Sequence, residues 1–182
     1  MQMRYRSWCT GIALLFTALA WLTPSLPAVA ASAKAQQPCV GSGGACLSFT
    51  AAQAIPVIRG ITFAAPKAGT AMVTFHGNAY CAGSSSYQNG TQYARVDLVS
   101  QIVNRQNKVP DLTKAGSLRH AAAMGGGNQF DWSTTFNLAS TRLFTVNAAG
   151  TQKYYFKIAR LLQDPNITCY LYNAAFTVLF TP

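Results

Sequence analysis

Residues 70–77 read TAMVTFHG, and the fold of the chain turns on how that octet is read. Ala71, Val73 and Phe75 fall on one side of an extended backbone, and Thr70, Met72, Thr74 and His76 fall on the other. Alternation of this kind marks a half-buried strand, whereas a helix gathers its apolar residues at spacings of three and four. The pattern continues outward from the octet. QYARVDLVSQIV (92–103) places Ala94, Val96, Leu98 and Ile102 on one face and Arg95, Asp97 and Gln101 on the opposite one. TRLFTVNAAGTQKYYFKIARLL (141–162) reads as two strands joined by a turn around Asn147 to Thr151, with Gly150 available for a positive backbone dihedral. TCYLYNAAFTVLF (168–180) closes the chain as a long alternating or fully buried strand.

These segments are rich in Val, Ile, Thr, Phe and Tyr, and no apolar stripe at helical spacing extends over three turns. Turn residues separate them at Pro66-Lys67-Ala68-Gly69, Asn89-Gly90 and Asp164-Pro165-Asn166. The expectation is an all-β, antiparallel β-sandwich, jelly-roll-like and built as a single domain, with roughly eight to ten strands.

The N-terminus carries a different signal. Arg4 and Arg6 precede an apolar stretch of 14 residues, Cys9 to Leu22, which is shorter than the ~20 residues that span a bilayer as a helix. Pro24 and Pro27 follow, then the small-residue pattern Ala28-Val29-Ala30 that a signal peptidase reads, with Ala31-Ser32-Ala33 as a second candidate. This describes a signal peptide over residues 1–30 that is cleaved on export. A loose N-terminal arm (31–45) and the sandwich domain (46–182) remain, with no transmembrane segment in the mature chain. The expected location is secreted, either periplasmic or extracellular.

Removal of the leader turns five cysteines into four: Cys39, Cys46, Cys81 and Cys169. An even set in an exported chain is the parity of disulfides. Of the three possible pairings, Cys39–Cys46 and Cys81–Cys169 are favoured, because the glycine-rich run between the first two is short and flexible enough to close on itself. Six residues separate Cys39 from Cys46, too many for a redox C-x-x-C, and no second ligand pair completes a zinc site. The GSGG within that run lacks the Lys-Ser/Thr of a phosphate-binding loop.

The full chain carries a net charge of +10 and no glutamate. Cleavage takes Arg4 and Arg6 from its fourteen cations, leaving twelve against Asp97, Asp111, Asp131 and Asp164, a net +8. The cations are spread along the chain and no nucleic-acid-binding motif accompanies them, so nucleic acid is not an expected partner. A weak attraction to anionic envelope surfaces or acidic polysaccharides is the more natural consequence.

One interval is unlike the rest. Between Val103 and Phe130, NRQNKVPDLTKAGSLRHAAAMGGGNQ holds Arg105, Lys108, Lys114, Arg119 and His120 against one acid, Asp111, and ends in a glycine triplet. It reads as a long loop, or as a loop containing a short strand at SLRHAAAM. With Asp131 and Trp132 just beyond it, these residues form a candidate binding loop: Arg105, Lys108, Lys114, Arg119, His120, Asp131 and Trp132.

The inventory for catalysis is thin: two histidines, four aspartates, no paired carboxylates at a telling spacing, and no G-x-S-x-G elbow. No cofactor or metal site is expected. Binding is better supplied, by Tyr80, Tyr87, Tyr93, Tyr154, Tyr155, Tyr170 and Tyr172, although many of these rings are expected to fill the core. The second half, with its hairpin and terminal FTVLF strand, resembles jelly-roll domains that assemble as trimers; the resemblance implies assembly and transfers no residue. The expected function is therefore a non-enzymatic structural, adhesive or interaction protein of the cell envelope or extracellular space, contacting itself as a homo-oligomer or another protein. A carbohydrate-binding module that holds glycan with its tyrosines and the 104–130 loop is the alternative, and a small secreted hydrolase the third reading.

Overall fold

The computed structural model describes residues 32–36, 47–53 and 57–182, and every regular element within them is a strand. In chain order these are β1 (Ser32–Gln36), β2 (Leu47–Thr50), β3 (Val57–Ala65), β4 (Gly69–Ser84), β5 (Ser86–Gln88) and β6 (Thr91–Val103). They continue with β7 (Ser117–Gly126), β8 (Asp131–Asn137), β9 (Ser140–Val146), β10 (Gly150–Gln163) and β11 (Ile167–Thr181). All pairings are antiparallel. No described helix is long and apolar enough to cross a membrane.

Two sheets form. Sheet A is centred on β4 and β11, which pair from Thr70↔Thr181 to Gly83↔Ile167. The far side of β11 takes β1 and then β2, and the far side of β4 takes β9 and then β8, so each edge is built from two short strands in line. This is why eleven strands appear where eight to ten were read. In sheet B, β10 lies between β3 and β6, and β7 borders β6 on the other side. Ser32–Gln36, inside the segment read as a loose arm, is the strand β1 on β11.

The alternation in TAMVTFHG is what buries the sheet: Ala71, Val73 and Phe75 are all 0% exposed. Phe75 stacks on Phe156 of β10 with centroids 3.6 Å apart and meets Phe176 edge-on at 5.8 Å. Phe63 of β3 packs on Phe180 of β11 at 5.4 Å. Aromatic contact between the inner faces thus fixes the spacing of the two sheets.

The three turns read from Gly, Pro, Asn and Asp stand between strands, as expected. Asn89 and Gly90 both have positive φ (50° and 84°), the two-residue loop that matches the twist of the β5–β6 hairpin. Asp164 is 1% exposed and takes two hydrogen bonds from Arg95, Nε to Oδ2 at 3.2 Å and Nη2 to Oδ1 at 2.9 Å. That pair ties the β10–β11 turn to β6. The segment 141–162 does contain two strands and a turn, but they do not pair as a hairpin: β9 joins β4 in sheet A, whereas β10 joins β3 and β6 in sheet B. The turn at Asn147 to Thr151 is a passage between sheets.

Cys81 and Cys169 are directly opposed across β4 and β11, both 0% exposed, and form a disulfide. Cys39 and Cys46 lie outside the described residues. The bridge closes a sequence separation of 88 residues, for which chain entropy gives roughly 4–5 kcal/mol. The double variant Cys81→Ala, Cys169→Ala is therefore expected to unfold at a clearly lower denaturant concentration, with a loss of about 4–5 kcal/mol. An unchanged midpoint would show that the strand pairing alone sets the stability.

Candidate functional site

The residues of the candidate loop are divided among several places. Asn104–Gly116 is a loop, but Ser117–Gly126 is the full edge strand β7, longer than the short strand read at SLRHAAAM. The register puts His120 and Ala122 on the inner side of sheet B, opposite Leu98 and Val96. His120 is 9% exposed, its Nε2 shares a hydrogen bond with Ser100 Oγ at 2.8 Å, and its ring lies 5.9 Å from that of Phe136. Burial holds its pKa below the ordinary 6.5. Arg119, next in the chain, points outward and donates through Nε to Asp97 Oδ1 at 2.9 Å, a hydrogen bond that raises its pKa.

The loop itself lies down on sheet B. Val99, Gln101 and Val103 are on the outward side of β6, yet they are at most 1% exposed. What covers them is tied in place by backbone and side-chain bonds. Gln101 Nε2 donates to Ala115 O at 3.1 Å, Lys157 Nζ to Gln106 O at 2.7 Å, and Pro110 is buried. Asp111 organises the turn that leads to β7: it accepts from Thr113 N (2.9 Å) and Thr113 Oγ1 (2.8 Å), bonds that lower its pKa. Lys114 N in turn donates to Asp111 O at 3.0 Å. Arg105 and Lys108 stay at the surface, lining with Asn104 and Asn107 a cavity of about 520 Å³.

Asp131 and Trp132 belong to sheet A. Trp132 pairs with Gly83 and packs against the core, while Asp131 and Ser133 face outward beside Ser84 and Ala82. Together with Tyr80 they line a cavity of about 350 Å³. Tyr80 stands directly opposite Tyr170, which lies 6.4 Å from Tyr172, ring to ring. The other tyrosines are scattered: Tyr154 is buried against Phe144 at 4.8 Å, Tyr93 lies under the Arg95 guanidinium at 4.8 Å, and Tyr87 is exposed.

The outer face of sheet A is therefore the surface with a consistent chemistry. Its rows, read across the strands, are Leu143–Met72–Leu179–Ala33, then Thr141–Thr74–Thr177–Ala35, then His76–Ala175, then Asn137–Asn78–Tyr172, then Thr135–Tyr80–Tyr170–Ser48. Thr74 Oγ1 and Thr141 Oγ1 are 3.1 Å apart. Among the described residues the single formal charge on this face is Asp131, at one end. The cations gather on the other sheet and its loop, as Arg95, Arg105, Lys108, Lys114, Arg119, Lys153 and Lys157. This segregation is missed when the sequence is read strand by strand, since it depends on which strands share a sheet. Among the described residues no three His, Cys, Asp or Glu side chains gather where they would hold a metal ion.

No protein-family model matches the chain, and no curated protein matches it in sequence. Among solved structures, 84% of the chain aligns with 38% of a chain from the structure of infectious bursal disease virus, Gx strain, at 8% identity and a TM-score of 0.24. The chain thus spans well under half of that viral chain, and a TM-score of this size fixes neither fold nor function.

The buried His120 has a consequence for stability. Its folded pKa is depressed, so as the pH falls below about 6.5 the unfolded chain takes up a proton that the native chain resists, and stability declines. Denaturant titrations at about pH 7.5 and about pH 5.5 are expected to show that loss, with His120→Gln reducing it. A variant that loses as much as the parent would place the pH dependence on other groups.

Proposed function

We propose that the protein is an exported, non-catalytic structural or adhesive subunit that works by surface contact, and that its contact surface is the outer face of sheet A. One observation carries this reading: in a molecule with twelve lysines and arginines after the expected cleavage, none of the described ones lies on the outer face of sheet A. Two copies with a net +8 repel wherever their cations face each other. They meet without that penalty only through a face that has no cations.

The composition of the face suits a protein partner. Tyrosine and methionine are enriched in the centres of interfaces and lysine is depleted, and Met72, Leu143, Tyr80, Tyr170 and Tyr172 stand among threonines and asparagines with no lysine between them. Its size suits one too. A strand of 16 residues extends about 50 Å, and four strands side by side span about 15–20 Å, an area on the order of 800 Å² per partner. A second copy of the same chain is the occupant that this charge pattern favours, and export is the setting that the leader and the paired cysteines support.

The test is the mass of the exported protein, native and denatured, without reductant. The denatured mass is expected to match a chain starting near Ala31 with four hydrogens missing. The native mass is expected to be a fixed multiple that dissociates on dilution. Met72→Lys and Leu143→Lys place like charges in the contact and should weaken association by roughly a hundredfold or more. Leu161→Lys, at an exposed position of β10, should leave it intact. A monomer at every concentration, or an oligomer indifferent to Met72→Lys and Leu143→Lys, would contradict the proposal.

A further inference from the structure

We propose that the opposite side of the molecule, centred on the Asn104–Lys108 loop, is a binding site for an acidic polysaccharide that carries carboxylate or sulfate groups along its chain. The inference rests on the geometry of sheet B and its loop and is independent of self-association through sheet A.

The loop holds its cations ready. Asn104, Arg105, Asn107 and Lys108 line one cavity of about 520 Å³ and are all exposed. Their backbone is held from both directions: Lys108 N donates to Arg105 O at 3.2 Å within the loop, and Lys157 Nζ reaches from β10 to Gln106 O at 2.7 Å. Among the described residues neither Arg105 nor Lys108 meets a carboxylate, whereas Arg95 and Arg119 are each paired with an aspartate. The other charged groups on this side are Lys157 beneath the loop, Lys153 further along β10, and Asp111 and Lys114 at the turn into β7. Asp111 is already satisfied by Thr113.

The chemistry of the cavity selects the ligand. A guanidinium presents paired N–H donors that match the two oxygens of a carboxylate or the oxygens of a sulfate, and an ammonium adds a second point charge. The amides of Asn104 and Asn107 supply both donors and acceptors, which suit the hydroxyls that flank an oxyanion on a sugar ring. A polymer with repeated oxyanions can bridge from Arg105 and Lys108 toward Lys157 and Lys153, so several weak contacts act together. A neutral sugar could accept hydrogen bonds from these groups but would leave their charge uncompensated.

Because any cationic protein attracts polyanions, the test has to separate this loop from net charge. Calorimetric titration of the intact protein with polygalacturonate (carboxylate) and with heparin (sulfate), at about 0.15 M salt, uses two probes of the proposed class. The double variant Arg105→Gln, Lys108→Gln is expected to bind at least one of them about tenfold more weakly than the parent. The double variant Lys34→Gln, Lys67→Gln removes the same charge from elsewhere on the surface and is expected to lose no more than about twofold. Equal losses in the two variants would reduce the effect to net charge and overturn the site, as would failure of the parent to bind either polymer. Vesicles containing phosphatidylglycerol are the counter-probe: loop-dependent binding to them, with neither polysaccharide bound, would assign the cations to a lipid surface and overturn the proposal.

Discussion

The pairing of β4 with β11 is the constraint from which the rest of the architecture follows. Its ladder runs nearly the whole length of both strands, is crossed by the Cys81–Cys169 bridge, and lies at the centre of sheet A with an edge strand on each side. The inward residues of these two strands, among them Phe75, Leu171, Phe176, Val178 and Phe180, are all 0% exposed. A shift of the register by one residue would turn that whole set outward, so the aromatic contacts to Phe156 and Phe63 in sheet B also fix the register. Gly83 shows how closely the two strands approach at one end: a Cβ there would fall 1.9 Å from the carbonyl oxygen of Asn166.

The ladder has one irregularity, and the structure adapts to it. Between Tyr172 and Ala175 the register shifts, and Asn173 takes a positive φ of 52°, the left-handed conformation that one class of bulge uses. At the same level β8 gives way to β9, with Leu138 N bonded to Gly77 O at 2.9 Å. Both edges therefore change strand along the ladder, β8 to β9 beside β4 and β2 to β1 beside β11. The bulge shifts the parity of β11, so its outward positions run Thr168, Tyr170 and Tyr172 before it and Ala175, Thr177 and Leu179 after it, and the outer face continues across the break. The twelve cations expected in the mature chain have few places on such a face, and most of them lie on sheet B and the loop that covers it. A sandwich built in this way has two unlike surfaces, one without a described lysine or arginine, the other cationic and looped.

Much of this is legible in the sequence, for reasons that are local. Alternation in 70–77 and 92–103 gives the strands and their inner faces, because a strand's period is a property of neighbouring residues. Turn chemistry at Asn89-Gly90 and Asp164-Pro165-Asn166 gives the reversals for the same reason. An even set of cysteines after the expected cleavage, with the short glycine-rich run favouring Cys39–Cys46, leaves Cys81 to pair with Cys169, as it does. Sheet membership is a different matter. Residues 141–162 look like a hairpin because two strands flank a turn, but a turn specifies only that the chain reverses, not which edge each strand will join. The candidate site suffers in the same way. His120 sits in a stretch of alanine, glycine and basic residues that hides the strand β7, and its inward position becomes visible only through its register with Leu98. Gln101 is correctly read as facing away from the core, yet it is buried because the loop returns over it and its side chain bonds to Ala115. Asp131 and Arg105, read as parts of one candidate loop, end apart: Asp131 on sheet A and Arg105 in the loop over sheet B.

The central claim is that the β4–β11 ladder is the stable element on which both surfaces are mounted. Native-state hydrogen exchange of the oxidised protein tests it most directly. Amides of 71–81 and 169–180 are expected to exchange last and together, through global unfolding, while those of the edge strand β7 and the 104–116 loop exchange earlier by local opening. If β6 and β10 retained their protection while β4 and β11 exchanged first, sheet B would be the foundation of the molecule and the claim would be contradicted.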